Sequence, residues 1–224
     1  MKASPVRGVA AFDFDGTLVD GTSFPEFLMR LLGRRRFGIA LARAGPSMLA
    51  GYRRSGRDGS KEALLIRAVR GVSANRAEEV GEAFALELTK RIRPEMIPSL
   101  RWHDEHHHRR ILVSASLVLY LRPFGRLNGF DQVIATRLEV GPDDRLTGRI
   151  DGSNVRAAQK AALLGKALGP GPVELWAYGD SSGDREMLAM AQHPVWLSDL
   201  LGEVRPGLTP VGLSARMYRW LAKL

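Results

Sequence analysis

The chain contains no cysteine among its 224 residues. That excludes disulfides, thiolate nucleophiles and zinc sites of the cysteine type, and it fits a reducing cytoplasm. Long hydrophobic runs are missing as well. Ahead of Asp13 only Val9–Phe12 are continuously apolar, too short for the core of a secretory signal. No run approaches the ~18 apolar residues of a membrane span. The nearest, Phe37 to Tyr52, is interrupted by Arg43 and Pro46. The expected location is therefore the cytoplasm. A third shortage is local: between Phe27 and Arg57 there is no acidic residue, while eight arginines (30, 34, 35, 36, 43, 53, 54 and 57) fall there. Together with a net charge of +9, this reads either as a solvated helical face or as a surface that meets anions.

What is present is an ordinary globular composition, 45% hydrophobic and 25% charged. The length suffices for one substantial core, or a core with a smaller inserted unit. Strand patterns fall at Val9–Phe14, Arg110–Ser114, Gln132–Ala135 and Glu174–Tyr178, with a weaker one at Pro194–Leu197. Helical periodicity occupies Pro94–His108, Leu117–Leu127, Val155–Leu168 and Arg185–Ala191. Such alternation predicts a doubly wound, mostly parallel α/β sheet covered on both faces. Arg137–Ile150 reads instead as a β-hairpin turning at Gly141-Pro142-Asp143-Asp144. From Gly21 to Arg93 there is no strand pattern. Helices are expected at Phe24–Leu32, Phe37–Arg54, Ser60–Arg70 and Asn75–Arg91, with breaks at Gly33, Gly56–Gly59 and Gly71–Ser73. This block follows the first strand directly, so residues 21–94 are expected to form a helical cap inserted into a core of 1–20 and 95–224. A short basic amphipathic helix is expected at Ser214–Leu224.

Four short segments carry chemistry. Asp13-Phe14-Asp15-Gly16-Thr17 closes the first strand. Two carboxylates two residues apart at a strand's exit can bind a hard cation, and one can attack an electrophile while the other moves protons. Gly16 allows a sharp turn, and its amide and the Thr17 hydroxyl are donors for a bound phosphate. Ile111-Leu112-Val113-Ser114-Ala115-Ser116 ends a second apolar strand in a hydroxyl and amides suited to an oxyanion. Lys160 lies on a helix between that strand and the last acidic motif. Gly179-Asp180-Ser181-Ser182-Gly183-Asp184 sets two carboxylates beside glycine turns, which suits a magnesium site. A doubly wound sheet gathers all four at its carboxyl edge.

In this ordered set, DFDGT at 13–17, SAS at 114–116, Lys160 and GDSSGD at 179–184, the chain resembles the haloacid dehalogenase superfamily of phosphohydrolases. The all-helical cap between the first two motifs resembles the subfamily that contains phosphoserine phosphatase. The resemblance implies that Asp13 attacks phosphorus and becomes an aspartyl-phosphate, and that Asp15 serves as acid and then base. It also implies Mg2+ held by the Asp13 carboxylate, the Asp15 carbonyl and Asp180, with Asp184 beside the ion or orienting Lys160. Ser114, the Ala115 amide and Lys160 would hold the transferring phosphoryl group.

The expected substrate is a small phosphorylated metabolite such as phosphoserine. The alternative is a phosphorylated lipid headgroup, with the basic cap docked at an anionic membrane surface on its inner face. A nucleic-acid partner is disfavoured, because no basic motif is interleaved with aromatics. For substrate recognition, Asp20, Glu26 and Arg67 are the charged candidates near the first motif and in the cap. His103, His106, His107 and His108 superficially suggest a metal cluster, but their run HDEHHHRR reads as a solvated helix face. The glycines near 165–171 read as a loop.

Overall fold

The computed structural model describes residues 7–197, without the side chains of 52 and 54–58; the expected tail helix at Ser214–Leu224 lies outside them. Six strands form one sheet in the order β4-β3-β2-β1-β5-β6. Strand β1 (Arg7–Phe12) is central, paired in parallel with β2 (Arg109–Leu117) and β5 (Val173–Gly179). Strand β3 (Gln132–Val140) runs parallel to β2, and β6 (His193–Trp196) runs parallel to β5. Only β4 (Leu146–Asp151) is antiparallel, completing the expected hairpin with β3.

The period of two explains why these strands are apolar throughout. Ala10, Phe12, Leu112, Trp176 and Tyr178 face one hydrophobic cluster, while Val9, Ala11, Ile111, Val113, Leu175 and Ala177 face a second. The second is covered by α6 (Ala158–Leu168) and α7 (Arg185–Ala189) through Leu164, Met187 and Leu188. The first is covered by α5 (Val118–Leu127) and by α4 (Ile97–Glu105) with the turn before it. It extends without interruption into the helices between β1 and β2.

Those helices are α1 (Ser23–Leu32), α2 (Arg34–Ala68) and α3 (Ala74–Thr89), the last capped by Ser73. Helix α2 covers the expected break at 56–59, yet the segment folds back on itself there. Ser60 Oγ donates to Met48 O at 2.9 Å, whereas residues twelve apart on a straight helix stand about 18 Å apart. A Cβ on Gly51 would lie 2.4 Å from the Gly59 carbonyl oxygen, and one on Gly59 would lie 2.3 Å from that of Gly51. Only glycines let the two arms approach this closely.

Phe27, Leu28, Leu65, Phe84 and Leu88 from the insertion share a core with Phe12, Phe14, Tyr120 and Phe124 of the body. The chain enters and leaves the insertion side by side: Val19 bridges Ile92, Arg93 N donates to Leu18 O at 2.8 Å, and Arg93 pairs with Asp20. At the other end, Gly71 and Leu146, and Ala74 and Asp144, are joined by backbone hydrogen bonds that tie the insertion to the β3–β4 hairpin.

The expectation for the histidine run is corrected. Helix α4 ends at Glu105, two residues before His107 takes a left-handed φ of 53°. His103 is not on a solvated face: it is fully buried against Phe12, Trp102, Trp176 and Tyr178. Its Nδ1 meets His108 Nδ1 at 2.8 Å, and its Nε2 meets the Tyr178 hydroxyl at 2.9 Å. Burial, reinforced by neighbouring cationic groups, lowers its pKa to about 3. It is a neutral core residue. Charged neighbours in the sequence concealed the one inward position among them.

Candidate active site

The carboxyl edges of β1, β2 and β5 converge on a cavity of about 130 Å³. Asp13, Asp15, Ser114, Ala115, Lys160 and Asp184 line it, joined by Ser116, Val155, Arg156, Ser181 and Gly183. Asp13 follows β1 directly, with its amide donating to Tyr178 O at 2.9 Å. Gly16 then adopts φ 84°, and a Cβ there would fall 2.4 Å from the Asp180 carboxylate. Glycine at 16 is thus what lets Asp180 approach the first motif. The Gly16 amide, expected to meet phosphate, instead donates to Val19 O at 2.8 Å. The buried Thr17 hydroxyl lies 3.5 Å from Asp13 Oδ2 and 3.3 Å from Asp180 Oδ1. Neither residue lines the cavity. Their observed part is to shape the turn.

Lys160, carried in by α6, is 2% exposed. Its ammonium donates to Asp13 Oδ1 at 2.6 Å and to Asp184 Oδ1 at 2.5 Å. Asp184 is itself fixed, because its Oδ2 accepts from Ser181 N at 3.0 Å and Ser181 Oγ at 2.8 Å. Burial opposes the lysine's charge, but the two carboxylates outweigh it and raise its pKa. Burial pushes Asp13 up to about 7, against the pull of Lys160 and with a further push from Asp184.

Asp13, Asp180 and Asp184 each offer an oxygen within 4.8 Å of the others. Lys160 pairs with two of these carboxylates, and a divalent cation held by all three would add further balancing charge. An all-oxygen donor set suits a hard ion such as Mg2+, and the space Gly16 leaves for Asp180 completes the fit.

Asp15 faces a different environment. Its Oδ1 accepts from Ser23 N at 2.8 Å and its Oδ2 from Ser116 Oγ at 2.5 Å. Burial raises its pKa, and these two serines hold it partly down. Behind the cavity, Lys61 of α2 donates to Ala115 O and, at 2.6 Å, to Asn154 Oδ1. Thr136 Oγ1 lies 2.9 Å from both of those acceptors. These contacts fall where β2 bulges between Ser114 and Leu117, turning the Ala115 peptide out of the sheet ladder. Ser23, Tyr120, Lys61, Thr136 and Asn154 carried no motif signal; only Ser116 lay within one.

The charged candidates for substrate recognition lie elsewhere. Glu26 pairs with Arg30 at 2.9 Å and with Arg91 at 2.7 Å. Asp20 pairs with Arg93. Arg67 is exposed.

An acidic cluster, a buried lysine and hydroxyl-bearing turns at the carboxyl edge of a doubly wound sheet mark a hydrolase. The family signature described as haloacid dehalogenase-like hydrolase matches residues 10–189, and the chain belongs to that family. Protein CicA of Caulobacter vibrioides is 36% identical over 187 residues, covering 82% of each chain. A crystal structure of a protein of unknown function from Bordetella pertussis Tohama I superposes with a TM-score of 0.70 at 21% identity, over 89% of this chain and 97% of that one. A phospho-aspartyl intermediate analogue of phosphoserine phosphatase superposes with a TM-score of 0.56 at 20% identity, over 84% of both chains. Among the described residues no helix is long and apolar enough to cross a membrane.

Proposed function

We propose that the chain is a magnesium-dependent phosphomonoesterase that works through an aspartyl-phosphate on Asp13. The observation that carries this reading is the Lys160 ammonium bridging Asp13 and Asp184 inside the cavity that Asp15 also lines. An oxygen of Asp13 attacks phosphorus while the bond to the leaving oxygen breaks, and the proton on Asp15 passes to that oxygen to release the alcohol. Asp15, now ionised, takes a proton from water as the water oxygen attacks phosphorus. The Asp13–phosphorus bond breaks, and inorganic phosphate leaves. Lys160 offsets the charge of nucleophile and phosphoryl group, so that two anions can meet. Ser114 and the Ala115 amide cradle the phosphoryl oxygens. Asp13, Asp180 and Asp184, with the Asp15 carbonyl, would hold Mg2+, which supplies charge neutralisation to the phosphoryl group when bound.

The substrate favoured is a small phosphorylated metabolite, in keeping with the size of the cavity and the helical insertion (residues 21–94) beside it. Phosphoserine is one candidate. Any ammonium on it would need a partner other than Glu26 and Asp20, whose carboxylates pair with arginines. A panel of phosphomonoesters assayed for phosphate release, with magnesium and with excess EDTA, tests the reading. Release from none of them in magnesium contradicts it.

A second reading rests on the outer side of α2. Phe27 and Leu28 are buried in the core, and Leu31, Leu32 and Phe37 are half-buried, but Ile39, Leu41 and Leu49 stand 45%, 42% and 55% exposed. Arg34, Arg35, Arg36, Arg43 and Arg53 are exposed around them. Exposed apolar side chains among arginines suit an anionic membrane surface, each charge near it contributing about 1 kcal/mol. Co-sedimentation with anionic vesicles that disappears in high salt and in the Leu49→Glu variant supports it. Equal sedimentation with neutral vesicles counts against it.

A further inference from the structure

The acid–base aspartate is held by groups outside the acidic cluster, and of these only Ser116 lines the cavity. The Ser116 hydroxyl donates to Asp15 Oδ2 at 2.5 Å. Behind it, Ser23 Oγ lies 3.3 Å from Ser116 Oγ and 2.9 Å from the Tyr120 hydroxyl. All three hydroxyl residues are buried: Ser116 is 4% exposed, Ser23 1% and Tyr120 0%.

While Asp15 is ionised, as it is before it takes a proton from water, proton counting sets a direction for this chain. An ionised carboxylate only accepts, and each hydroxyl has a single proton to donate. Ser116 spends its proton on Asp15, so Ser116 Oγ must accept from Ser23. Ser23 Oγ has then used its own proton and must accept from Tyr120. Burial, and after it the charge of Asp15, pushes the Tyr120 phenol up, so the phenol stays a donor. The other Asp15 oxygen is pinned separately by the Ser23 amide at 2.8 Å. Ser23 therefore grips Asp15 twice, once by its amide and once through Ser116.

Three elements from distant parts of the chain meet here: the start of α1, the bulge in β2 and the first turn of α5.

We propose that Ser116, Ser23 and Tyr120 are positioning residues that orient Asp15 for proton delivery to the leaving oxygen. This inference rests on the phosphomonoesterase reading. Its consequence is selective. A leaving alkoxide needs the proton from Asp15, whereas a nitrophenolate departs without it. Losing the chain should therefore harm alkyl phosphates more than aryl phosphates, while a mere loss of packing would harm both alike.

The test compares kcat/KM for an alkyl phosphomonoester and for p-nitrophenyl phosphate, since kcat/KM reports the steps through departure of the leaving group. Ser116→Ala is expected to lose roughly 10–100-fold on the alkyl substrate, a part of the ~10²–10⁴-fold that acid–base assistance supplies. The loss on the aryl substrate should be at least about tenfold smaller. Tyr120→Phe should show the same bias more weakly, and Ser116→Thr, which keeps the hydroxyl, should recover most of the alkyl activity. Equal losses on both substrates, no loss on either, or an alkyl defect that threonine fails to relieve would each overturn the proposal. A wild-type protein that hydrolyses neither substrate would instead overturn the phosphomonoesterase reading.

Discussion

Asp13 and Asp15 leave the same strand two residues apart and enter opposite environments. Asp13 sits in a field of ions, with Lys160 at 2.6 Å and Asp180 and Asp184 nearby. Asp15 sits among neutral donors, two serines and, one step back, a tyrosine. Ions stabilise charge that develops on a nucleophile and phosphoryl group, whereas neutral donors orient a carboxyl and favour its ionised form less strongly than a paired cation does. The division of labour between two identical side chains thus lies in their neighbours. Phe14, between them in sequence, is buried and packs edge-on against Phe124 in the core.

The sharpest break of this contrast is Asp13→Asn, which removes the nucleophile and should lower turnover by ~10⁴-fold or more. Asp15→Asn should cost ~10²–10⁴-fold, because addition to phosphorus remains possible without the acid. Steady-state phosphate release measures both, and near-normal release from Asp13→Asn would end the proposed assignment.

Lys160→Met probes the ionic half. It leaves Asp13 and Asp184 buried without their cation, a defect that typically costs about 3–5 kcal/mol. The thermal midpoint should fall sharply in EDTA and recover in magnesium, since the ion replaces part of the missing charge. Asp180→Ala should raise the magnesium concentration needed for half-maximal activity while leaving stability in EDTA nearly unchanged. A midpoint in Lys160→Met that ignores magnesium would separate the lysine from the metal site.

The smallest expected effect lies outside the site. His103 has its folded pKa lowered to about 3, while its unfolded value is near 6.5. Above the unfolded value both states are neutral there. As pH falls below it, only the unfolded chain takes up the proton, so stability is lost from about pH 6.5 downward. The loss approaches ~1.4 kcal/mol per pH unit. Thermal midpoints at pH 7 and pH 5 should differ by less in His103→Gln than in the parent. The same difference in both would show that other groups carry the acid sensitivity.

The sequence revealed those parts that depend on nearest neighbours along the chain. Alternating apolar strands and helices predicted the parallel sheet, and each acidic motif followed a recognisable strand. Lys160 was legible only from its order among the motifs, because a lysine on a helix is ordinarily solvated. Glycines at 51 and 59 mark where α2 reverses, and the second lies in the predicted break.

What stayed hidden depends on tertiary contact. Ser23 and Tyr120 are 97 residues apart yet hydrogen-bonded, and Lys61 reaches Ala115 across 54 residues. No local pattern encodes such pairs. Gly16 and Thr17 were expected as phosphate donors; in the structure the amide is used inside its own turn and the hydroxyl lies between two carboxylates.

The most direct test of the account is to find where the phosphoryl group goes. The Asp15→Asn variant, given p-nitrophenyl phosphate and magnesium, should still be phosphorylated but should lose the base that activates water. Acid quenching followed by peptide mass spectrometry should then find one phosphoryl group on the peptide containing Asp13, absent when Asp13→Asn is added. A phosphoryl group on any other residue, or steady release of phosphate from a protein that never carries one, would contradict Asp13 as the nucleophile.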